Sequence, residues 1–143
     1  MNKKGFTLVE IILVVVILGI ISAITIPNIM ESLRQNKVDA GENVEKILLE
    51  NLKLYTKNNE NEWWCDPNTG YGVECGSRPQ TGTKAVQLED LKKGANQDID
   101  MNDCTLKNTM TVTRTGSSGN YKYDYNVKIV CKDKNGKTYY ESK

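Results

Sequence analysis

The chain has 143 residues, enough for one domain. It carries 19 basic and 18 acidic side chains, no histidine, and a formal charge of +1. Near-neutrality gives no basic footprint for nucleic acid, and the missing histidines remove the commonest metal ligand and general base.

Met1-Asn2-Lys3-Lys4-Gly5 forms a short charged leader. Phe6-Thr7-Leu8-Val9-Glu10 follows, and Ile11 to Ile21 then runs without one polar side chain. Only isolated polar residues interrupt the apolar pattern before Met30, a length suited to crossing a bilayer as one helix. Lys3 and Lys4 hold the leader on the cytoplasmic side and place everything after Met30 outside. The segment differs from a secretory signal peptide because no small-x-small cleavage site closes it; Ser22-Ala23 comes nearest, and the helical pattern runs past it. Glu10 sets a carboxylate at the lip of this apolar helix. An unpaired charge in hydrocarbon is costly, so Glu10 is a candidate functional residue.

Charged leader, Gly5, Phe6, Thr7-Leu8-Val9-Glu10 and long apolar helix stand in register here. Over residues 3–30 the chain resembles the type IV prepilins, a family of type IV pilins, type II secretion pseudopilins and competence pseudopilins. The resemblance implies that a membrane prepilin peptidase cuts between Gly5 and Phe6 and N-methylates Phe6. Glycine before the cut lets a protease approach the backbone closely. It also implies that Glu10 neutralises the amino terminus of Phe6 in a neighbouring copy, so that one charge pair sets the register of assembly. Without the motif, Glu10 reads equally well as an interfacial glutamate near the headgroups.

Gly19 lacks a side chain, which weakens the helix locally or lets another helix approach. Pro27 removes a backbone donor and is expected to kink the helix. The resemblance places both in the region where the family's helix bends or partly melts in the filament. From Ile26 the pattern turns amphipathic: Ile26, Ile29, Met30, Leu33, Ala40, Val44, Ile47, Leu48, Leu52 and Tyr55 recur at threes and fours. Glu42 and Lys46 have ion-pair spacing, Gly41 is a weak point, and Asn58-Asn59 ends the pattern. The helix is therefore expected over about 6–57, about 78 Å long, with its second half serving the external domain.

Residues 60–82 read as loop, with one of Trp63 and Trp64 in the core. Lys84 to Lys93 is helical or extended. Asp98, Asp100 and Asn102 begin like a calcium loop, yet Asp103 stands where glycine is required and Thr109 where glutamate is required, so the metal signal is weak and a solvated turn is the plainer reading. Thr109–Thr115, Tyr121–Cys131 and a third strand after the Asn135-Gly136 turn make an antiparallel meander. A four-residue loop at 116–119 pairs Val112 with Tyr123 and Met110 with Tyr125, and Cys131 faces Tyr140.

Four cysteines beyond a membrane segment favour disulfides in an oxidising compartment. Of the three complete pairings, local spacing favours Cys65–Cys75 and Cys104–Cys131. The second resembles the bond that encloses the C-terminal region of type IV pilins.

The expected fold is α+β, the type IV pilin fold: a long N-terminal helix packed by its second half against a C-terminal antiparallel sheet of three or more strands. Residues 1–5 are the leader, 6–30 the transmembrane and filament-core helix, and 31–143 the external head. No C-x-x-C pair or supported acid–base cluster suggests an enzyme, and no cofactor is implied. The resemblance implies a structural subunit, read first as a major pilin whose pilus serves adhesion, aggregation, twitching motility or DNA uptake. The alternative is a minor pilin or a secretion or competence pseudopilin; the incomplete calcium spacing speaks against the secretion type. Implied partners are further copies of the chain, prepilin peptidase, an inner-membrane assembly platform and minor pilins. The implied locations are the cytoplasmic membrane before assembly and a surface filament after it.

Overall fold

The structure, a computed structural model, describes residues 7–68, 74–95 and 99–143, without the side chains at 27, 28, 94 and 95. Residues up to Lys37 form one unit and Val38–Lys143 another. The first helix, α1 (Leu8–Trp63), contributes to both.

In the first unit α1 is apolar all round. Leu8, Val9, Ile11–Leu18, Ile20, Ile21, Ile24 and Ile26 are all exposed, the pattern of a helix whose solvent is hydrocarbon or other helices. Ser22 and Thr25 donate their hydroxyls to the carbonyls of Leu18 and Ile21, both at 2.7 Å. Each hydroxyl is thus satisfied within the helix, as an apolar medium requires. Helix assignment is uninterrupted at position 27.

In the second unit one stripe of α1 turns inward: Gly41, Val44, Leu48, Leu52 and Thr56. Thr56 is buried at no polar cost because its hydroxyl donates to the Leu52 carbonyl. Ala40 and Ile47, expected on the same stripe, are exposed. The apolar band is wider than the face the strands can cover. The helix also passes the expected end at Lys57 and stops at Trp63. Asn59 donates its amide to the Tyr55 carbonyl, and Tyr55 packs against Trp63 at 5.6 Å between ring centroids. Tertiary packing there overrides the weak helix propensity of asparagine. Trp64, just beyond, is the buried tryptophan, and Trp63 is half-buried.

Two three-stranded antiparallel sheets follow. One orders β1 (Gly82–Val86), β3 (Met110–Ser117) and β4 (Asn120–Asn126) as β1-β3-β4; the other orders β2 (Cys104–Leu106), β5 (Ile129–Lys132) and β6 (Thr138–Glu141) as β2-β5-β6. A short helix, α2 (Leu88–Ala95), links β1 towards β2 and buries Leu91. The core gathers Val44, Leu48 and Leu52 of α1 with Trp64, Val86, Met110, Val112, Ile129 and Cys131.

Two expectations for the strands are corrected. The stretch expected as one strand, 121–131, divides between the sheets. Val127, Ile129 and Cys131 keep the inward alternation, so the pattern hides the change of hydrogen-bonding partner. Val112 pairs with Tyr125 instead of Tyr123, because Ser117 pairs with Asn120 and leaves a two-residue turn, Ser118-Gly119. A slip of two residues keeps every side chain on its face, so polarity could not detect it. Arg114 shares the face of Met110 and Val112 and points inward with 3% exposure. Cys131 does face Tyr140.

Gly41 is a notch for β6. A Cβ there would lie 2.6 Å from Cγ and 2.7 Å from Cβ of Tyr140. The ring approaches the helix closely and donates its hydroxyl to Glu45 at 2.6 Å. Ser142 donates to the same Glu45 oxygen and accepts the Ile129 amide. Glu45 thereby ties the end of the chain to the helix.

Candidate functional site

The N-terminal motif enters the described structure at Thr7. Its side chain stands immediately before α1, where the first amides have no helical partner. Thr7 donates its amide to Glu10 Oε2 at 2.8 Å and its hydroxyl to the same oxygen at 2.7 Å. The Glu10 amide returns the contact to Thr7 Oγ1 at 3.4 Å, and the Ile11 amide bonds the Thr7 carbonyl at 3.3 Å. Thr7-x-x-Glu10 is a capping box, in which each side chain satisfies the other's backbone amide. The sequence reading considered Glu10 only as unpartnered or as paired with another copy. The Thr-x-x-Glu spacing was the signal that could have revealed this intrachain role.

The capping box also places the carboxylate. Glu10 lies in the first turn of α1, where the helix dipole favours negative charge. It is exposed, so its remaining lone pairs can meet a cation from outside the chain. Gly5 and Phe6, the expected processing junction, lie outside the described residues. Gly19 is exposed, and a Cβ there would meet nothing within 4 Å. Pro27 lies in the helical backbone, and its expected kink rests on a side chain outside the described ones.

α1 is long and apolar enough to cross a membrane, with a mean hydropathy of 2.9 over its most apolar window. This is compatible with a membrane anchor.

The head is braced by disulfides Cys65–Cys75 and Cys104–Cys131. Cys104 and Cys131 are direct partners across β2 and β5. Next to the first bond, Asp66 reaches across to the β3–β4 turn. It accepts the Ser118 hydroxyl at 2.7 Å, the Gly119 amide at 3.3 Å and the Asn68 amide at 3.0 Å. The Ser118 hydroxyl is the largest influence holding the Asp66 carboxyl below its ordinary range. The sequence reading left Asp66 within the 60–82 loop, and no local spacing connects it with Ser118.

Of the weak calcium candidates, Asp98 lies outside the described residues. Asp100 accepts the Asn102 amide at 2.8 Å in a tight turn, and Asn102 has a φ of 46°. Among the described residues no group of three His, Cys, Asp or Glu side chains could hold a metal.

Residues 1–26 match the family model described as the prokaryotic N-terminal methylation motif. The chain is 36% identical over 81 residues to the type II secretion system core protein G of Pseudomonas aeruginosa, covering 57% of this chain and 54% of that protein. It is also 36% identical over 75 residues to the type II secretion system core protein G of Escherichia coli K12, covering 51% and 48%. The chain thus spans about half the length of the curated relatives it matches. No solved structure matches it significantly. Together with the Gly5-to-Glu10 motif, and with one long helix against antiparallel strands as in the type IV pilin fold, these similarities make the chain resemble the prepilins and pseudopilins of the type IV pilin-like family.

Proposed function

We propose that the chain is a structural subunit of a type IV pilus-related system and, within that class, a pseudopilin of a type II secretion machine. The observation that carries the finer reading is its similarity to two proteins named type II secretion system core protein G. This displaces the major-pilin expectation. The incomplete calcium spacing, taken from the sequence as a mark against the secretion type, weighs less than two relatives carrying that name.

Cleavage after Gly5 exposes the amino group of Phe6, which is then methylated. Residues 6–30 hold the subunit in the cytoplasmic membrane with 31–143 outside, and the same apolar surface packs against further copies as the fibre grows. The contact is head to tail and does not close, so it propagates. Glu10, placed by the capping box, receives the amino terminus of the next copy. Prepilin peptidase, an assembly platform and related minor subunits are the partners of this cycle. A type IV pilin is the second reading, favoured by the Cys104–Cys131 bond that encloses the C-terminal strands.

Two measurements separate these readings. Deletion of a secretion pseudopilin halts export of secreted proteins and leaves no long surface filament to lose. If filaments sheared from wild-type cells consist mainly of this chain, the pilin reading replaces it. Glu10→Gln keeps a capping oxygen but removes the charge. It is expected to be cleaved yet to assemble poorly, and normal fibre formation would reduce Glu10 to a helix cap.

A further inference from the structure

Beside the β3–β4 turn lies a cavity of about 390 Å³, within the range of small-molecule sites, whose walls include Glu60, Trp64, Asp66, Arg114, Tyr121 and Tyr123. Three buried side-chain polar atoms among the described residues lack a hydrogen-bond partner: Nε1 of Trp64, Nε of Arg114 and the hydroxyl of Tyr121. All three residues line this one cavity. Buried polar groups are nearly always paired, and a cluster of exceptions calls for a cause.

Arg114 is the centre of the cluster. It is 97% buried, being 3% exposed, and its guanidinium carbon lies 3.4 Å from the Tyr121 ring centroid, 5.8 Å from that of Trp64 and 6.0 Å from that of Tyr123. Stacking on Tyr121 covers a face of the guanidinium. It leaves the Nε donor on the edge, which stacking cannot satisfy. The walls hold two carboxylates against this one cation. Glu60 accepts the Tyr123 hydroxyl, and Asp66 is held by Ser118, Gly119 and Asn68. A full anion would meet net negative charge. A cation would leave the unpaired donors unsatisfied.

The fitting ligand is neutral and oxygen-rich, with hydroxyls that accept from Arg114 and donate to the carboxylate of Glu60. It also needs an apolar face for the half-buried rings of Tyr121 and Tyr123. Those are the properties of a sugar ring. We propose that this cavity binds a neutral pyranose saccharide, gripped through vicinal hydroxyls by Arg114 and Glu60 and seated against the tyrosines.

The test titrates the full chain, in a zwitterionic detergent without a sugar headgroup, with methyl glucoside, galactoside and mannoside and with N-acetylglucosamine. Binding is read by saturation-transfer NMR and by tryptophan fluorescence, with acetate and glycerol as controls. At least one pyranoside is expected to bind at millimolar concentration and shift the fluorescence. Arg114→Met is expected to weaken binding at least tenfold, and Tyr121→Ala at least threefold. Should Arg114→Met unfold, as judged by near-ultraviolet circular dichroism, Tyr121→Ala and Glu60→Gln decide alone. The proposal is overturned if no pyranoside binds up to 50 mM, if acetate or glycerol binds as well as the sugars, or if the folded variants bind like the parent.

Discussion

Replacing Gly41 with alanine sets two effects of opposite sign against each other. In an open helix, Gly→Ala stabilises by about 0.5–1 kcal/mol. Here the new methyl would lie 2.6, 2.7 and 2.8 Å from Cγ, Cβ and Cδ1 of Tyr140. Ordinary carbon contact needs about 3.5–4.0 Å, so the base of the tyrosine must retreat by about 1 Å. It cannot do so by swinging a flexible tip, because the clash includes Cβ. Strand β6 must move with it, although Tyr140 is paired with Cys131 and bonded to Glu45. Overpacking costs about 1–3 kcal/mol, and losing a hydrogen bond to a charged acceptor costs about 1.5–3 kcal/mol. Set against the helix gain, Gly41→Ala is expected to destabilise the head by about 2–3 kcal/mol. Urea unfolding of the full chain in detergent, followed by tryptophan fluorescence, measures this. With a slope of about 1–3 kcal/mol per molar urea, the midpoint should fall by about 1–2 M. Gly19→Ala is the control: a Cβ at 19 meets nothing within 4 Å, so the monomer should lose no stability. A Gly41→Ala protein as stable as the parent would refute the notch.

The two disulfides should differ in worth. Chain entropy assigns about 3.5 kcal/mol to Cys104–Cys131 and about 2.7 kcal/mol to Cys65–Cys75, from separations of 27 and 10 residues; paired Cys→Ala variants unfolded in urea should keep that order. Burial, followed by the bond to Glu45, pushes Tyr140 from its ordinary 10.0 up to about 12. A folded pKa above the unfolded one gives stability that is complete below pH 10.0 and lost as pH rises through about 12. Tyr140→Phe should remove its share of that alkaline loss, and an unchanged profile would show that Tyr140 contributes nothing to it. Thr7→Ala should cost about 1 kcal/mol locally, seen as faster amide exchange in the first turn of α1, while Thr7→Ser should not.

The long helix was legible because its signals are local. An unbroken apolar run, then recurrence at threes and fours, needs no knowledge of what packs against it. The same holds for the N-terminal methylation motif within residues 1–26, which is contiguous, and for the alternation that faced Cys131 towards Tyr140. Sequence reasoning failed where a residue's meaning depends on a distant partner. Gly41 looked like a weak point until Tyr140, 99 positions later, filled the space above it. Nothing local to Arg114 announced the aromatic rings just beyond α1 and on β4 that enclose it. The capping box was local and could have been read; Glu10's charge drew attention from its spacing to Thr7.

By itself, the sequence determined the helix, its apolar half, the N-terminal methylation motif and the inward face of the C-terminal meander, because these follow from contiguous signals or from side-chain chemistry repeating at a fixed period. Only the tertiary structure decided which strands bond to which, where the register falls and which polar residues are enclosed. Alternation with a period of two is unchanged by a slip of two residues or by a change of partner. Those choices are made by contacts between residues far apart in the chain: the Asp66 hold on the β3–β4 turn, the Glu45 tie to β6, and the close approach that Gly41 permits.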